Sequence, residues 1–240
     1  MSHRVRLGML TPSSNTALEP ITAAMLAALP EVSAHFGRFR VTEIALSEAA
    51  RAQFDDSEIL RAAELLAHAK VDVIAWNGTS ASWLGFERDE RLCERITAAN
   101  GITASSTTLA YREIFQRTGA AIGLVTPYTD DVQAQIVSNW RASGFTCAAE
   151  RHLGIKDNFA FAEINEGEIE RMIREVVGDG SRLVAILCTN MRGAPIAARL
   201  EAELGVPIYD SVAVTLWKCL ALAGVDTTRV KGWGMLFNSQ

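Results

Sequence analysis

The sequence predicts an α/β protein made of two pseudo-symmetric, doubly wound lobes, each with a mainly four-stranded parallel sheet. Short apolar runs alternate along the chain with longer amphipathic stretches, as strands and helices do in such folds. The apolar runs are continuous rather than alternating, which a parallel sheet covered on both faces requires. The 240 residues, 49% of them hydrophobic, suffice for one sizeable core or two small lobes.

Segments of the first half recur in the second half in the same order, and this repeat predicts the two lobes. Residues 7–12 (LGMLTP) match residues 122–127 (IGLVTP), and residues 101–106 match residues 205–210. Between them lies a third match, of two apolar runs that each lead into a loop with a threonine. We therefore expect a duplicated α/β unit of somewhat over a hundred residues.

The third match places a thiol opposite a glycine. The run 73–77 leads into Gly78, and the run 183–187 leads into Cys188. When the threonines that follow are aligned, Cys188 falls opposite Gly78. One side of a pseudo-symmetric cleft would then carry a thiol and the other side no side chain.

In the first half, the pattern predicts four strands and four helices. The strands are the apolar runs at 4–10, 40–46, 71–76 and 102–105. The helices are the amphipathic stretches at 16–29, 56–69, 87–99 and 107–117. At the first helix, Thr16 and Glu19 have the spacing of a capping box.

The second half repeats this order. Its strands are expected at 120–126, 147–152, 182–187 and 206–209. Its helices are expected at 130–143, 166–177, 193–203 and 211–223. Asp130 and Gln133 have the capping-box spacing at the first of these helices.

The apolar segment 233–237 is expected to cross back and complete the first lobe. The chain then divides into a first lobe of residues 1–116 plus 212–240 and a second lobe of residues 117–211.

Charge and composition argue against several kinds of partner. A net charge of −5 offers no basic field for nucleic acid or for an anionic membrane. No apolar stretch has the ~18 residues of a membrane span. The start of the chain runs into a strand pattern without the apolar region of a signal peptide, so we expect a cytoplasmic protein. A homo-oligomer stays open.

The cysteines and the glycines predict neither a metal nor a cofactor. The four cysteines are scattered, without a CxxC pair or a histidine at ligand spacing, so a disulfide framework or a zinc site is not expected. Cys93, Cys147 and Cys219 lie within element patterns and are interpreted as structural. No Gly-x-Gly-x-x-Gly segment supports a nucleotide cofactor.

The candidate ligand-binding residues lie in the loops that follow the strands. Open parallel sheets bind ligands beyond the carboxyl ends of their strands, which places the active site in the cleft between the lobes. These loops are rich in hydroxyl and amide groups and poor in charge, which suits a carboxylate. Cys188 is the candidate acid, at a helix start that would lower the pKa of its thiol. The candidate binding residues are Asn15, Gly78, Thr79, Ser80, Tyr128, Thr189 and Asn190.

Each candidate also has a purely structural interpretation. A cysteine at a strand end is more often part of the core, and loop hydroxyls and amides more often cap helices. The sequence has no Gly-x-Ser-x-Gly nucleophile motif. A thiol hydrolase that pairs Cys188 with His152 stays open, although its one support is that both residues lie in the second half of the chain.

Four segments carry a resemblance to a known group of enzymes. They are residues 78–82, 126–132 and 153–155, and the strand that ends in Cys188. They resemble the aspartate/glutamate racemase superfamily, and more closely its branch of arylmalonate decarboxylases and maleate cis–trans isomerases. The likeness runs over nearly the whole chain.

The resemblance implies a chemistry. Racemases of this superfamily use two cysteines, one in each lobe, and maleate isomerases also carry both. Arylmalonate decarboxylases have a glycine at the first site and a single cysteine at the second, as this chain has Gly78 and Cys188. It implies that Cys188 protonates an enediolate after loss of carbon dioxide, while Thr79, Ser80 and Tyr128 hold the retained carboxylate.

Two loops depart from the decarboxylase pattern. Residues 12–16 are the isomerase-like version of the first loop, in which Asn15 would suit a second carboxylate. Residues 189–192 replace the glycine-rich segment that follows the cysteine in the decarboxylases. The leading interpretation is a cofactor-independent decarboxylase of a small carboxylate or dicarboxylate. An isomerase of the maleate or racemase type is the first alternative, and a non-catalytic carboxylate-binding protein is the second.

Overall fold

Two parallel sheets organise the computed structural model, which describes residues 4–44, 46 and 56–238. In these residues each sheet has four strands. The first sheet contains β1 (Val5–Pro12), β2 (Val32–Phe39), β3 (Val73–Trp76) and β4 (Thr103–Ser106). The second contains β5 (Ile122–Val125), β6 (Cys147–Arg151), β7 (Leu183–Ile186) and β8 (Ile208–Asp210).

Helices connect these strands along the chain. Those of the first half are α1 (Leu18–Leu26), α2 (Asp56–His68), α3 (Ala81–Leu84), α4 (Phe86–Asn100) and α5 (Thr107–Thr118). Those of the second half are α6 (Asp130–Ala142), α7 (Glu166–Gly178), α8 (Ala194–Leu204) and α9 (Ser211–Leu222). Short 3₁₀ turns lie at Ala160–Glu163, Thr227–Arg229 and Met235–Phe237.

The two sheets have the same topology. Their strand orders are β2-β1-β3-β4 and β6-β5-β7-β8, with every neighbouring pair parallel. Strands β1, β3 and β4 thus hold the same places as β5, β7 and β8. The predicted fold class is confirmed, because the three repeated segments fall on equivalent strands.

The central strands form the core of each half. Every residue of β3, β5 and β7 is buried, as expected for strands covered by helices on both faces. The outer strands β2 and β6 are partly exposed along their length.

The predicted strand at 40–46 is wrong. The second strand is β2, and residues 40–44 form a loop whose Glu43 makes one antiparallel bridge to Asp157. Ala45 lies outside the described residues. The sequence of β2 mixes Ser33, His35 and Arg38 with apolar residues because it is an edge strand, so a search for continuous apolar runs passes over it.

The observed α4 (Phe86–Asn100) extends the predicted helix at 87–99 by one residue at each end, and the short helix α3 precedes it. Gly85, with φ 100°, separates α3 from α4. The other predicted strands and helices overlap the observed ones.

Both predicted capping boxes are wrong. Helix α1 begins at Leu18, after Thr16, and Glu19 forms an ion pair with Arg38. At α6 the cap position is Thr129, and Gln133 uses its side-chain amide elsewhere. Both glutamate and glutamine are held by tertiary partners that the local spacing does not reveal.

Helix α9 packs against α1 and α5 and against strands β3 and β4 of the first sheet. The hydroxyl of Thr215 on α9 lies 2.7 Å from that of Thr107 on α5. The predicted lobe boundaries stay a prediction. Within the described residues, no helix has both the length and the apolarity to cross a membrane.

Candidate active site

A narrow cavity lies where the carboxyl ends of the two sheets face each other. Gly78 lies two residues beyond β3, and Cys188 lies two residues beyond β7, so the repeat places them at equivalent points. Both line the cavity, whose free volume of about 20 Å³ leaves room for little more than one water molecule. The lining comprises Pro12, Val41, Ile44, Trp76, Gly78, Thr79, Ser80, Trp83, Tyr128, Asn158, Cys188 and Thr189.

Cys188 is a buried thiol with a small set of hydrogen-bond partners. The Asn190 backbone N–H donates to its sulfur at 3.4 Å, and the Tyr128 hydroxyl also interacts with it. Burial raises the pKa of Cys188 to about 12, although these two hydrogen bonds favour the thiolate. The side chain therefore stays a protonated thiol at neutral pH.

The predicted lowering of the Cys188 pKa by a helix start is wrong. Helix α8 begins only at Ala194, and a turn fills the intervening residues. The helix dipole acts mainly within the first turn, so it does not offset the burial of the thiol. A protonated thiol is suited to give a proton rather than to attack as a nucleophile.

Thr79 and Tyr128 bring the two lobes together at the cavity. Their hydroxyl oxygens lie 2.6 Å apart, and either group can be the donor. Both side chains are buried, and burial raises the pKa of Tyr128 well above its usual value. The Tyr128 ring is held edge-on by Trp83 and Phe161, with centroids 5.3 and 5.6 Å away. The result is a chain of neutral hydroxyls that reaches the Cys188 thiol.

Thr189 and Asn15 link the lobes beside the cavity. The Thr189 hydroxyl donates to the Asn77 carbonyl at 3.1 Å. The Asn15 amide donates to the Thr189 carbonyl and hydroxyl at 3.1 and 3.2 Å. The Asn15 oxygen accepts from the backbone N–H groups of Ala17 and Leu18, which caps α1.

Asn190 caps the same helix from the other lobe. Its oxygen accepts from the backbone N–H groups of Thr16 and Ala17 at 2.9 and 3.1 Å. Its amide donates to the Asn158 carbonyl at 2.5 Å. Asn15 and Asn190 do not line the cavity, and these bonds engage their polar groups within the protein. The contact of Asn15 and Asn190 with substrate stays a prediction.

Two loops from opposite lobes meet over the cavity. The Asn158 side chain donates to the Ser14 hydroxyl at 2.7 Å, and its backbone N–H donates to the Thr42 carbonyl at 3.0 Å. The Ile44 N–H donates to the Lys156 carbonyl at 3.0 Å. These bonds carry Ile44 and Asn158 into the lining.

Sequence reasoning missed several lining residues. Asn158 lies in a loop without a motif, and Val41 and Ile44 fall within the strand predicted at 40–46. Trp76 ends the apolar run before Gly78, a pattern typical of strand core, although its ring borders the cavity. Of these, only Trp76 carried a signal, because a tryptophan two residues before the loop glycine has no counterpart before Cys188.

The thiol hydrolase alternative is not supported by the position of His152. Its ring nitrogens lie 2.8 Å from Glu150 and 3.0 Å from Asp130, and the residue does not line the cavity. Burial lowers the pKa of His152, but the hydrogen bonds to Glu150 and Asp130 outweigh it and raise the pKa overall. These contacts form a separate ion-pair cluster.

The remaining cysteines lie away from the cavity. Cys93 and Cys219 are buried and Cys147 is half-buried, and all four thiols are unpaired. In the part of the chain that the structure describes, no group of three or more His, Cys, Asp or Glu side chains could hold a metal ion.

The chain is similar in sequence and in fold to two kinds of known enzyme. A maleate isomerase of Pseudomonas putida is 28% identical over 251 aligned residues, which cover 99% of each chain. The crystal structure of a maleate isomerase from Pseudomonas putida S16 superposes with a TM-score of 0.86 at 25% identity, over 97% of this chain and 98% of that one. An arylmalonate decarboxylase of Bordetella bronchiseptica is 24% identical over 171 residues, or 69% of this chain and 71% of the relative.

The family model described as arylmalonate decarboxylase matches residues 7–237, which is nearly the whole chain. That model, the shared fold and the relatives of both kinds support the predicted branch of the aspartate/glutamate racemase superfamily. The chain is therefore an enzyme, a decarboxylase or an isomerase, and it belongs to the arylmalonate decarboxylase family.

Proposed function

We propose that the protein decarboxylates a small malonate-type dicarboxylate and protonates the resulting carbanion from Cys188. The observation that carries this proposal is the asymmetry of the two equivalent loops. One loop presents a buried, protonated thiol, and the other presents Gly78, which has no side chain to act as a nucleophile or a second acid.

The cavity has a polar side and an apolar side, and the two suit different carboxylates. Hydroxyls of Thr79, Ser80 and Tyr128 can donate to the carboxylate that stays, and their donation strengthens as its charge rises. Val41 and Ile44 offer the other carboxylate no hydrogen bond. A charged carboxylate buried among apolar side chains raises the free energy of the bound substrate. Loss of carbon dioxide removes that charge.

The substrate, Cys188 and water supply every electron pair and proton that this reaction needs. The bond from the α-carbon to the departing carboxylate breaks, and its electron pair passes into the retained carboxylate as an enediolate. The Cys188 S–H bond then gives its proton to the α-carbon and leaves a thiolate. Water restores the proton, which the raised pKa of Cys188 favours.

The test is carbon dioxide release from 2-methyl-2-phenylmalonate and from methylmalonate. We expect turnover by the natural protein and a loss of about 10²–10⁴-fold in kcat for Cys188→Ala, the usual contribution of a general acid. Cys219→Ala is the matched control, since that thiol is also buried but lies outside the cavity lining. Unchanged turnover by Cys188→Ala would show that the mechanism is wrong.

Cis–trans isomerisation of maleate is the second candidate. It is favoured by the 28% identity to a maleate isomerase over 99% of each chain. Formation of fumarate from maleate, followed by NMR, would establish this activity and displace decarboxylation. Thermal stabilisation by a panel of dicarboxylates without turnover of any of them would instead indicate a carboxylate-binding protein.

We also propose a cytoplasmic setting. The four unpaired thiols suit a reducing compartment, and the net charge of −5 does not favour nucleic acid or an anionic membrane as a partner.

A further inference from the structure

The indole of Trp76 occupies the space that a side chain at position 78 would need. A Cβ atom built on Gly78 would lie 1.9 Å from Cζ2 and 2.1 Å from Cε2 of the Trp76 ring. Carbon atoms that are not bonded prefer about 3.5–4.0 Å. Any residue larger than glycine therefore requires the indole to move.

The ring, and not the backbone, opposes a side chain at this position. Gly78 is not among the residues with a positive φ, so its backbone does not itself demand glycine. Its nearest neighbours are three atoms of the Trp76 ring.

The indole is also held in place. Trp76 is the last residue of β3, paired with Leu10 of β1 and Ser106 of β4, and it is 1% exposed. Its ring packs on Phe39 of β2, with centroids 5.0 Å apart. A buried ring packed against Phe39 can move aside only at a cost in free energy, because the interior is close-packed.

Trp76 and Cys188 both line the cavity, and Cys188 is the repeat counterpart of Gly78. We propose that the Trp76 indole fills the place of a second acid–base group and thereby confines proton transfer to the Cys188 face. Trp76, more than the absence of a side chain at Gly78, then restricts proton transfer to a single thiol. This inference rests on the proposed function only in taking Cys188 as the proton donor.

The packing is tested without any substrate. Gly78→Cys should lower Tm by about 5 °C in the natural protein, since overpacking destabilises a filled core. In a Trp76→Leu background the same change should cost about 1 °C or less, because the obstructing ring is gone. If Gly78→Cys does not fold, Gly78→Ala carries the same clashing Cβ with fewer added atoms.

Gly8→Ala is the matched control for the comparison of Gly78→Cys in the natural protein and in the Trp76→Leu background. Its Cβ would also be tight, 3.1 Å from Val71, but the close atoms do not include Trp76. It should shift Tm equally in both backgrounds. Equal losses for Gly78→Cys with and without the indole would overturn the proposal.

The chemistry is tested on resolved 2-phenylpropionate in deuterated water. With both thiols in place, one thiolate takes the α-proton and the opposite thiol returns a deuteron, so the acid racemises. We expect racemisation by Gly78→Cys/Trp76→Leu at least 10-fold faster than by Gly78→Cys alone. Equal rates, or no racemisation while the double variant still decarboxylates, would contradict the proposal.

The Tm comparison and the racemisation assay can fail separately, so together they distinguish this inference from the proposed function. If the natural protein released no carbon dioxide from 2-methyl-2-phenylmalonate, the proposed reaction would fail, and with it the confinement of proton transfer. The Tm cycle would still decide whether the indole excludes a side chain at position 78.

Discussion

At the scale of the residue, the decisive property is the protonation state of Cys188. The residue is 3% exposed, and burial raises the pKa of its thiol to about 12. An exposed cysteine would lose that proton near pH 8.5. A buried thiol is a poor nucleophile at neutral pH but a persistent acid, which supports the proposed protonation of a carbanion.

This state predicts the pH dependence of turnover. Because the folded-state pKa of Cys188 is raised, the protonated form persists as pH rises from 7 to 9, and kcat/KM should not fall over that range. Iodoacetamide at pH 8 should modify half-buried Cys147, whose pKa is raised to about 11 by burial, before Cys188. A decline of kcat/KM with an apparent pKa near 8.5, or preferential modification of Cys188, would contradict this assignment.

The sequence could predict part of this residue-scale arrangement. The repeat alone predicts that Cys188 and Gly78 lie opposite each other. The structure includes both in the cavity lining, together with the predicted residues Thr79, Ser80, Tyr128 and Thr189. The roles of all of them stay predictions. The direction of the Cys188 pKa could not be predicted, because burial depends on side chains from both lobes.

At the scale of the element, the repeat predicted the sheets well and local spacing predicted the helix starts poorly. The continuous apolar runs of β3, β5 and β7 are visible in the sequence because both faces of these strands are buried. The edge strand β2 and the cap of α1 are set by tertiary partners. Asn190, far along the chain, caps α1 together with Asn15, which no local motif shows.

Helix α9 supplies a prediction at this scale. Asp210 caps it through the N–H groups of Val212 and Ala213, and burial raises the Asp210 pKa to about 7. The pKa of Asp210 is higher in the folded than in the unfolded protein, so protonated Asp210 contributes its full stability below the unfolded pKa of about 3.9. That contribution is lost as pH rises through 7. Asp210→Asn keeps a capping oxygen but does not titrate.

We therefore expect Asp210→Asn to gain stability relative to the natural protein as pH rises from 5 to 8, by on the order of 2–4 kcal/mol. Urea unfolding at the two pH values measures the difference. Asp226→Asn is the control, because Asp226 caps the 3₁₀ turn at Thr227–Arg229 from an exposed position. The same pH response in both variants would mean that burial of Asp210 is not the cause.

At the scale of the whole molecule, bonds between the halves define the cavity. Asn15, Thr189 and Asn190 connect the first loop of one sheet to the loop after β7 of the other. The cavity lining itself includes Pro12 and Thr189, which are more than 170 positions apart in the chain. The fold class could be predicted from the sequence, whereas the narrowness of the cavity and the position of Trp76 against Gly78 depend on how the halves meet.

A single buried thiol in the cavity means that a proton would reach the substrate from one face, from Cys188. The most direct measurement is the optical purity of 2-phenylpropionate formed from 2-methyl-2-phenylmalonate in deuterated water. A single enantiomer, fully deuterated at the α-carbon and not formed by Cys188→Ala, is the predicted result. Racemic product from the natural protein, or the same enantiomer at an unchanged rate from Cys188→Ala, would contradict the account.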